Sequence, residues 1–105
     1  MMQDLVAKML GNVTACQCLM LRLAEMDDES KLQNQHAPLA KSFCTVMMRE
    51  TVAWARELFG ANGIVLDYNV AHFFADAEAI YSYEGTREMQ NLIVGKAVTG
   101  FSAFV

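Results

Sequence analysis

Apolar residues fall into four blocks with three- and four-residue steps, separated by short polar stretches. In the first block Leu5, Val6, Met9, Val13, Cys16, Met20 and Leu23 form one stripe, which Leu10 and Leu19 broaden. That spacing predicts a helix from about Asp4 to Met26. Gly11 and Thr14 lie inside it; they weaken the helix slightly and leave room for a neighbouring helix to approach. Asp27-Asp28-Glu29-Ser30 then reads as a solvated acidic link. The second block, Leu39, Phe43, Val46, Met47, Trp54 and Leu58, predicts a helix that starts near His36-Ala37-Pro38. Proline suits the first helical position because its missing N–H would have no partner there. Gly60 is expected to end this helix in the left-handed conformation. The glycines of Leu58-Phe59-Gly60-Ala61-Asn62-Gly63-Ile64 mark a turn.

Asp67 or Asn69 can cap a third helix that carries Val70, Phe73, Phe74, Ala77 and Ile80 and stops near Ser82. Thr86 is expected to cap the fourth, with Glu88 opposing the positive end of its dipole. Met89, Leu92, Ile93 and Val94 give this helix its apolar face, which fades near Gly100. Strand-like patterning is confined to Ile64-Val65-Leu66, and nothing repeats internally. The prediction is an all-α fold: one antiparallel bundle of about four helices.

Composition adds a constraint. The chain has 105 residues, 54% of them hydrophobic, and eight are methionine. Soluble domains typically reach about 45–50% with glycine counted. Either the core is large for the length or apolar surface is covered by another chain; the second is expected here. The net charge is −4, and the scattered basic residues build no phosphate-tracking stripe, which argues against nucleic acid. No apolar run approaches the roughly 20 residues of a membrane span. Met1-Met2-Gln3-Asp4 lacks the basic flank and apolar core of a signal peptide. Cys16, Cys18 and Cys44 have no zinc-type spacing and read as reduced, mostly buried thiols of a cytoplasmic protein. His36 and His72 read as a helix-start residue and a partly buried helix residue, so no metal site is expected. Trp54 reads as an anchor in the bundle or in a subunit interface.

One stretch is not explained by helix making. Tyr81-Ser82-Tyr83-Glu84-Gly85-Thr86 lies at the break between the third and fourth helices. A break needs a small residue and a capping hydroxyl, which Gly85 and Thr86 supply. It does not need a carboxylate between an aromatic ring and a glycine. Taken alone, Glu84 is either a solvated turn residue or a reactive base.

Two longer stretches decide between these. "ARELFGANGIVLDYNVAHFFADAEAIYSYEGT" and "REMQNLIVGKAVTGFSAF", which follows it, resemble the C-terminal helical domain of the flavin-dependent acyl-CoA dehydrogenases. The ending is most similar to the glutaryl-CoA dehydrogenase branch, which also holds some short-chain acyl-CoA oxidases. The likeness spans residues 1–105 as one domain and is strongest from Ala55 to Phe104. The ordered pair L-F-G-x-N-G then Y-E-G-T is the specific signal.

The resemblance implies FAD as cofactor and an acyl-CoA thioester as substrate. It implies that Glu84 is the base that removes the α-proton while the β-hydrogen leaves as hydride to the flavin. In that family the base's own backbone N–H and a ribityl hydroxyl of FAD stabilise the thioester oxygen. Tyr83 would be an aromatic wall against water, and Gly85 would let substrate come close to the backbone. Thr86 and Glu88 match positions that reach flavin. Glu57, Gly60, Ala61 and Gly63 match the segment along the ADP part of FAD, commonly one held mainly by another subunit. Many relatives carry glutamine at Glu57, a second glycine at Ala61 and an amide at Glu88.

The resemblance also implies an N-terminal helical domain and a middle β-domain, which this chain does not contain. The chain is expected to be truncated, to open inside the bundle's second helix, and to be inactive alone. Further implications are a homo-oligomer (a tetramer in the family) and an electron acceptor such as electron-transfer flavoprotein. The expected compartment is the bacterial cytoplasm or the mitochondrial matrix. The alternative is a non-catalytic helical oligomerisation or interaction module derived from the same family.

Overall fold

The structure, a computed structural model, describes residues 1–103, so Phe104 of the resembling segment lies outside the described residues. Four α-helices follow one another: α1 (Met2–Asp28), α2 (His36–Leu58), α3 (Val70–Ser82) and α4 (Arg87–Thr99). A short 3-10 helix, Gly60–Ile64, links α2 to α3. No strand occurs among the described residues, so Ile64-Val65-Leu66 is not one.

The arrangement is built on α2, which packs against all three other helices. α1 lies antiparallel to it, for Asn12 meets Thr51 near one end while Leu23 and Ala40 share a cavity near the other. α3 and α4 meet α2 in succession, from its C-terminal end toward its start. Arg56 lies over the Phe74 ring, and Arg49 bonds Glu78 and lies over the Tyr81 ring. Ser42 then bonds Asn91 of α4. The break between α3 and α4 is thereby set against the first turns of α2.

Periodicity explains which face of α1 packs. Leu5, Met9, Asn12, Cys16, Leu19, Leu23 and Met26 alternate four- and three-residue steps, and they are its most protected residues. The predicted stripe straddled this row and the next. Val6, Val13 and Met20 of that stripe are 50%, 44% and 52% exposed. Apolar residues cover more of α1 than one neighbour can bury, so one row packs and the other stays open. The packed row contains a polar residue that the apolar pattern did not flag. Asn12 Nδ2 lies 3.2 Å from Thr51 Oγ1, 3.3 Å from Glu50 Oε1 and 3.4 Å from the Met47 carbonyl.

Among the described residues the buried ones are few and mostly small: Leu23, Ala40, Ala77, Ser42, Thr45, Gly63 and Gln90. Alanine and serine at the contacts let helices approach closely but bury little area each. The accessible surface is 7318 Å², whereas a compact monomer of this mass would expose about 5,900 Å². The radius of gyration is 16.3 Å, against about 13 Å for a compact domain of this length. The apolar excess of the composition is therefore on the surface. Among the described residues no helix is long and apolar enough to cross a membrane.

Local signals hold in several places and fail in others. Gly60 adopts φ +60° just past α2, as the left-handed end predicted. Gly100 does the same after α4, with φ +79°. Asn69 occupies the cap position of α3 but makes no side-chain bond to it. Its φ of −63° and ψ of −14° are already helical, so the side chain is not aimed at the helix's first N–H groups. His72 is exposed rather than partly buried. The cysteines are free, with Cys16 and Cys44 half-buried and Cys18 exposed. Burial, together with a hydrogen bond to Cys16, pushes the Cys44 thiol up to about 11.

Gly63 is buried where a Cβ would sit 2.3 Å from the Arg56 carbonyl oxygen. Gly63→Ala is therefore expected to force the turn off α2 and to destabilise by about 1–3 kcal/mol, read by urea unfolding. At pH 8 only about a thousandth of Cys44 would be thiolate. Timed alkylation with mass spectrometry is expected to modify Cys18 first and Cys44 last.

Candidate active site

The break between α3 and α4 takes four residues. Tyr83 closes α3 in an extended conformation, its N–H donating to the Ala79 carbonyl at 3.0 Å. Glu84 follows with φ +56° and Gly85 with φ +94°. Thr86 returns to extended backbone, and its Oγ1 accepts the Met89 N–H at 3.3 Å, as the predicted cap of α4. Left-handed backbone is easy for glycine but costs a glutamate roughly 1–3 kcal/mol. Such a conformation persists only where its surroundings enforce it.

Two side chains enforce it. Lys41 Nζ donates to the Tyr83 carbonyl and, at 2.6 Å, to the Gly85 carbonyl. The buried Gln90 donates its Nε2 to the Glu84 carbonyl at 3.2 Å and reaches the Gly85 carbonyl at 3.5 Å. All three carbonyls of residues 83–85 are thus turned toward donors from α2 and α4. Lys41 also lies 5.7 Å from the centre of the Tyr83 ring. The positive φ favours glycine at Gly85, and a Cβ there, 2.5 Å from Gln90 Nε2, would push that amide off its place.

The opposite edge of the turn faces outward. In a trans peptide the N–H points away from its own C=O. Among the described residues the backbone N–H groups of Glu84, Gly85 and Thr86 donate to no protein acceptor. The Glu84 side chain is exposed, and Tyr83 is 56% exposed, so within this chain Tyr83 does not shut water out. A carboxylate and uncommitted N–H groups therefore share one rigid turn. Glu88, one residue into α4, accepts its own backbone N–H and pairs with Arg87 at 3.1 Å. Both hold its carboxyl below the usual carboxylate range.

The structure gathers Tyr83, Glu84, Gly85, Thr86 and Glu88 at one place. It keeps Glu57, Gly60, Ala61 and Gly63 at the far end of α2. Glu57 is sixteen residues beyond Lys41, or about 24 Å along the helix. Glu57, Gly60 and Ala61 are exposed there, whereas Gly63 is packed on Arg56. The Phe59 and Tyr68 rings, 6.0 Å apart, brace the same turn.

Sequence reading did not single out Lys41 or Gln90. Lys41 reads as a surface residue of an amphipathic helix. Gln90 offered no clear signal: it stands beside a second amide, Asn91, and the predicted apolar face of Met89, Leu92 and Ile93 is itself exposed while Gln90 is buried.

Comparison with known proteins identifies relatives of this helical fold. Residues 1–99 match the family "Acyl-CoA dehydrogenase, C-terminal domain". The chain is 30% identical over 95 residues to a glutaryl-CoA dehydrogenase of Desulfococcus multivorans, covering 90% of this chain and 24% of that protein. It is 26% identical over 90 residues to the caffeyl-CoA reductase–Etf complex subunit CarC of Acetobacterium woodii, covering 86% and 24%. A glutaryl-CoA dehydrogenase structure from Mycobacterium smegmatis superposes with a TM-score of 0.92 at 33% identity, covering 98% of this chain and 27% of that one. A structure of a Mycobacterium smegmatis glutaryl-CoA dehydrogenase in complex with FADH2 gives a TM-score of 0.91 at 29% identity, with the same coverage. The chain thus spans about a quarter of the length of these relatives. With nearly its whole length matched, this chain belongs to the acyl-CoA dehydrogenase family through that family's C-terminal helical domain.

Proposed function

We propose that this chain carries the base of a flavin-dependent acyl-CoA dehydrogenase acting on a glutaryl-CoA-like thioester. The observation that carries the reading is the Glu84 turn. It is held left-handed by Lys41 and Gln90 and presents a carboxylate beside uncommitted N–H groups. In the proposed reaction the α C–H bond breaks and its proton passes to the Glu84 carboxylate. The β-hydrogen leaves with its electron pair, and a C=C bond forms. Bound FAD supplies the acceptor for that pair. The negative charge that gathers on the thioester oxygen is met by the Glu84 N–H.

The residues present fit that cofactor at the Glu84 end. Thr86 uses its oxygen lone pair to cap α4, and its hydroxyl proton, turned here toward the Glu88 carboxylate, is the donor that would be offered to a flavin acceptor. The exposed start of α4, with Glu88 beside it, would lie near the same ring. At the other end Gly60 and Ala61 offer exposed backbone to an ADP moiety, Glu57 flanks it, and Gly63 shapes the turn from behind.

Relatives support the finer points. Glutaryl-CoA specificity is supported by the three glutaryl-CoA dehydrogenase matches, and the FADH2 complex among them supports the cofactor. A neighbour that forms a complex with an Etf supports electron-transfer flavoprotein as the acceptor. The uncovered apolar faces support burial against the rest of a longer enzyme and against other subunits, in a homo-oligomer. Free thiols suit a reducing compartment, the bacterial cytoplasm or the mitochondrial matrix. The chain alone is expected to be inactive, because Glu84 stands in open solvent.

In the flavin-loaded enzyme containing this chain, Glu84→Gln is expected to keep FAD bound, as judged by its visible spectrum. Turnover of glutaryl-CoA is expected to fall by roughly 10²–10⁴-fold. Full turnover in that variant rejects the base assignment.

A further inference from the structure

We propose that Lys41, assisted by Gln90, is a positioning residue that aims and polarises the peptide whose N–H meets the thioester oxygen. The inference rests on the reading of Glu84 as the base and assigns a task to residues that reading does not use.

The argument starts from one peptide unit. The Tyr83 carbonyl and the Glu84 N–H belong to the same plane and point in opposite directions. Lys41 Nζ takes that carbonyl, so the Glu84 N–H is directed away from α2. The Glu84 N–H has no protein acceptor among the described residues. Gln90 fixes the next peptide in the same sense through the Glu84 carbonyl. Both donors converge on the Gly85 carbonyl, which stops the turn from rocking about residues 84 and 85.

Lys41 does more than hold. An ammonium on a carbonyl oxygen draws electron density through the amide and leaves its N–H a stronger donor. Charge on the far side of the peptide thus strengthens the bond offered to the substrate. A flipped Tyr83–Glu84 peptide would present a carbonyl to the growing negative charge, and Lys41 opposes that flip by the bond it would lose. The lysine touches no reacting atom, and its effect passes entirely through the Glu84 amide.

The test uses the flavin-loaded enzyme that contains this chain, with Lys41→Met, Lys41→Gln and Lys41→Arg. Glutaryl-CoA turnover is measured in each. In a Glu84→Gln background, where substrate stays unreacted, isotope-edited infrared spectra read the thioester C=O stretch of 13C-labelled glutaryl-CoA. Lys41→Met is expected to retain FAD and to lower kcat roughly 10-fold or more, bounded by the ~10²–10³-fold loss of an oxyanion donor outright. KM is expected to change by less than about threefold, since the contact strengthens in the transition state. The C=O stretch is expected to move back toward that of the free thioester. Lys41→Arg, which keeps charge and donors, is expected to restore both.

Unchanged kcat and an unchanged stretch in Lys41→Met would overturn the proposal while an inactive Glu84→Gln keeps the base assignment intact. A fall in kcat with no change in the stretch would overturn it as well. Should Lys41→Met lose flavin, Lys41→Gln is read in the same way. Flavin loss in both makes Lys41 a packing residue and ends the proposal. An active Glu84→Gln enzyme is the separate outcome that removes the underlying reading.

Discussion

The contact between the Lys41 ammonium and the carbonyls of Tyr83 and Gly85 joins the start of α2 to the break between α3 and α4. Magnitudes show why it governs the turn. A left-handed glutamate costs roughly 1–3 kcal/mol. A hydrogen bond to a charged group typically contributes about 1.5–3 kcal/mol, nearer the lower figure for a half-exposed donor such as Lys41. Two such bonds, plus the amide of Gln90, outweigh the backbone cost. Remove the ammonium and that margin shrinks to what one neutral side chain can hold. The helices on either side would still form, since α4 has its own threonine cap and α3 its own apolar face. What would loosen is the turn between them, and with it the direction of the Glu84 amide.

The open surface and the open site have one cause. Small residues at the helix contacts bring backbones close, but they leave most apolar area on the outer faces. Glu84, Tyr83 and the uncommitted N–H groups are likewise at the surface. A carboxylate in water is a weak base, and enclosure by apolar surroundings makes it a stronger one. An amide in water has water to bond, and exclusion of water makes its hydrogen bond to an oxyanion count. On the proposed reading, the protein that covers the apolar faces also completes the chemistry. This chain supplies orientation, and its neighbours supply dryness.

Much of this was legible from residue order. Four helices follow from three- and four-residue spacing, and Thr86, Gly60 and Gly100 mark ends by local chemistry alone. Glu84 stood out because nothing about a helix break requires it. The misses are tertiary. The packed row of α1 could not be chosen from its pattern, because apolar residues cover two adjacent rows and only the position of α2 selects one. Asn12 was hidden for the same reason, as its partners are 35 to 39 residues away. Lys41 lies 42 and 44 residues before the carbonyls it holds, so no local rule could pair them. Gly85 was read as the small residue of the helix break, and its φ of +94° is of the kind that favours glycine there.

On the proposed reading, the separation of the two residue clusters constrains how a dinucleotide would be used. α2 is a continuous helix, so the distance from Lys41 to Glu57, about 24 Å, is fixed by hydrogen bonds along its whole length. One small ligand cannot touch Glu84 and the Gly60 turn together. An extended cofactor could do so only by running beside α2, where α1, α3 and α4 already occupy much of its circumference. The economical alternative has the two ends of α2 meet different cofactor molecules. The Glu84 end then faces the flavin of its own site, and the Gly60 turn faces the ADP part of one held by a neighbouring subunit. On that arrangement assembly is part of the cofactor site, and the stiffness of α2 sets the spacing between one subunit's base and the next subunit's nucleotide.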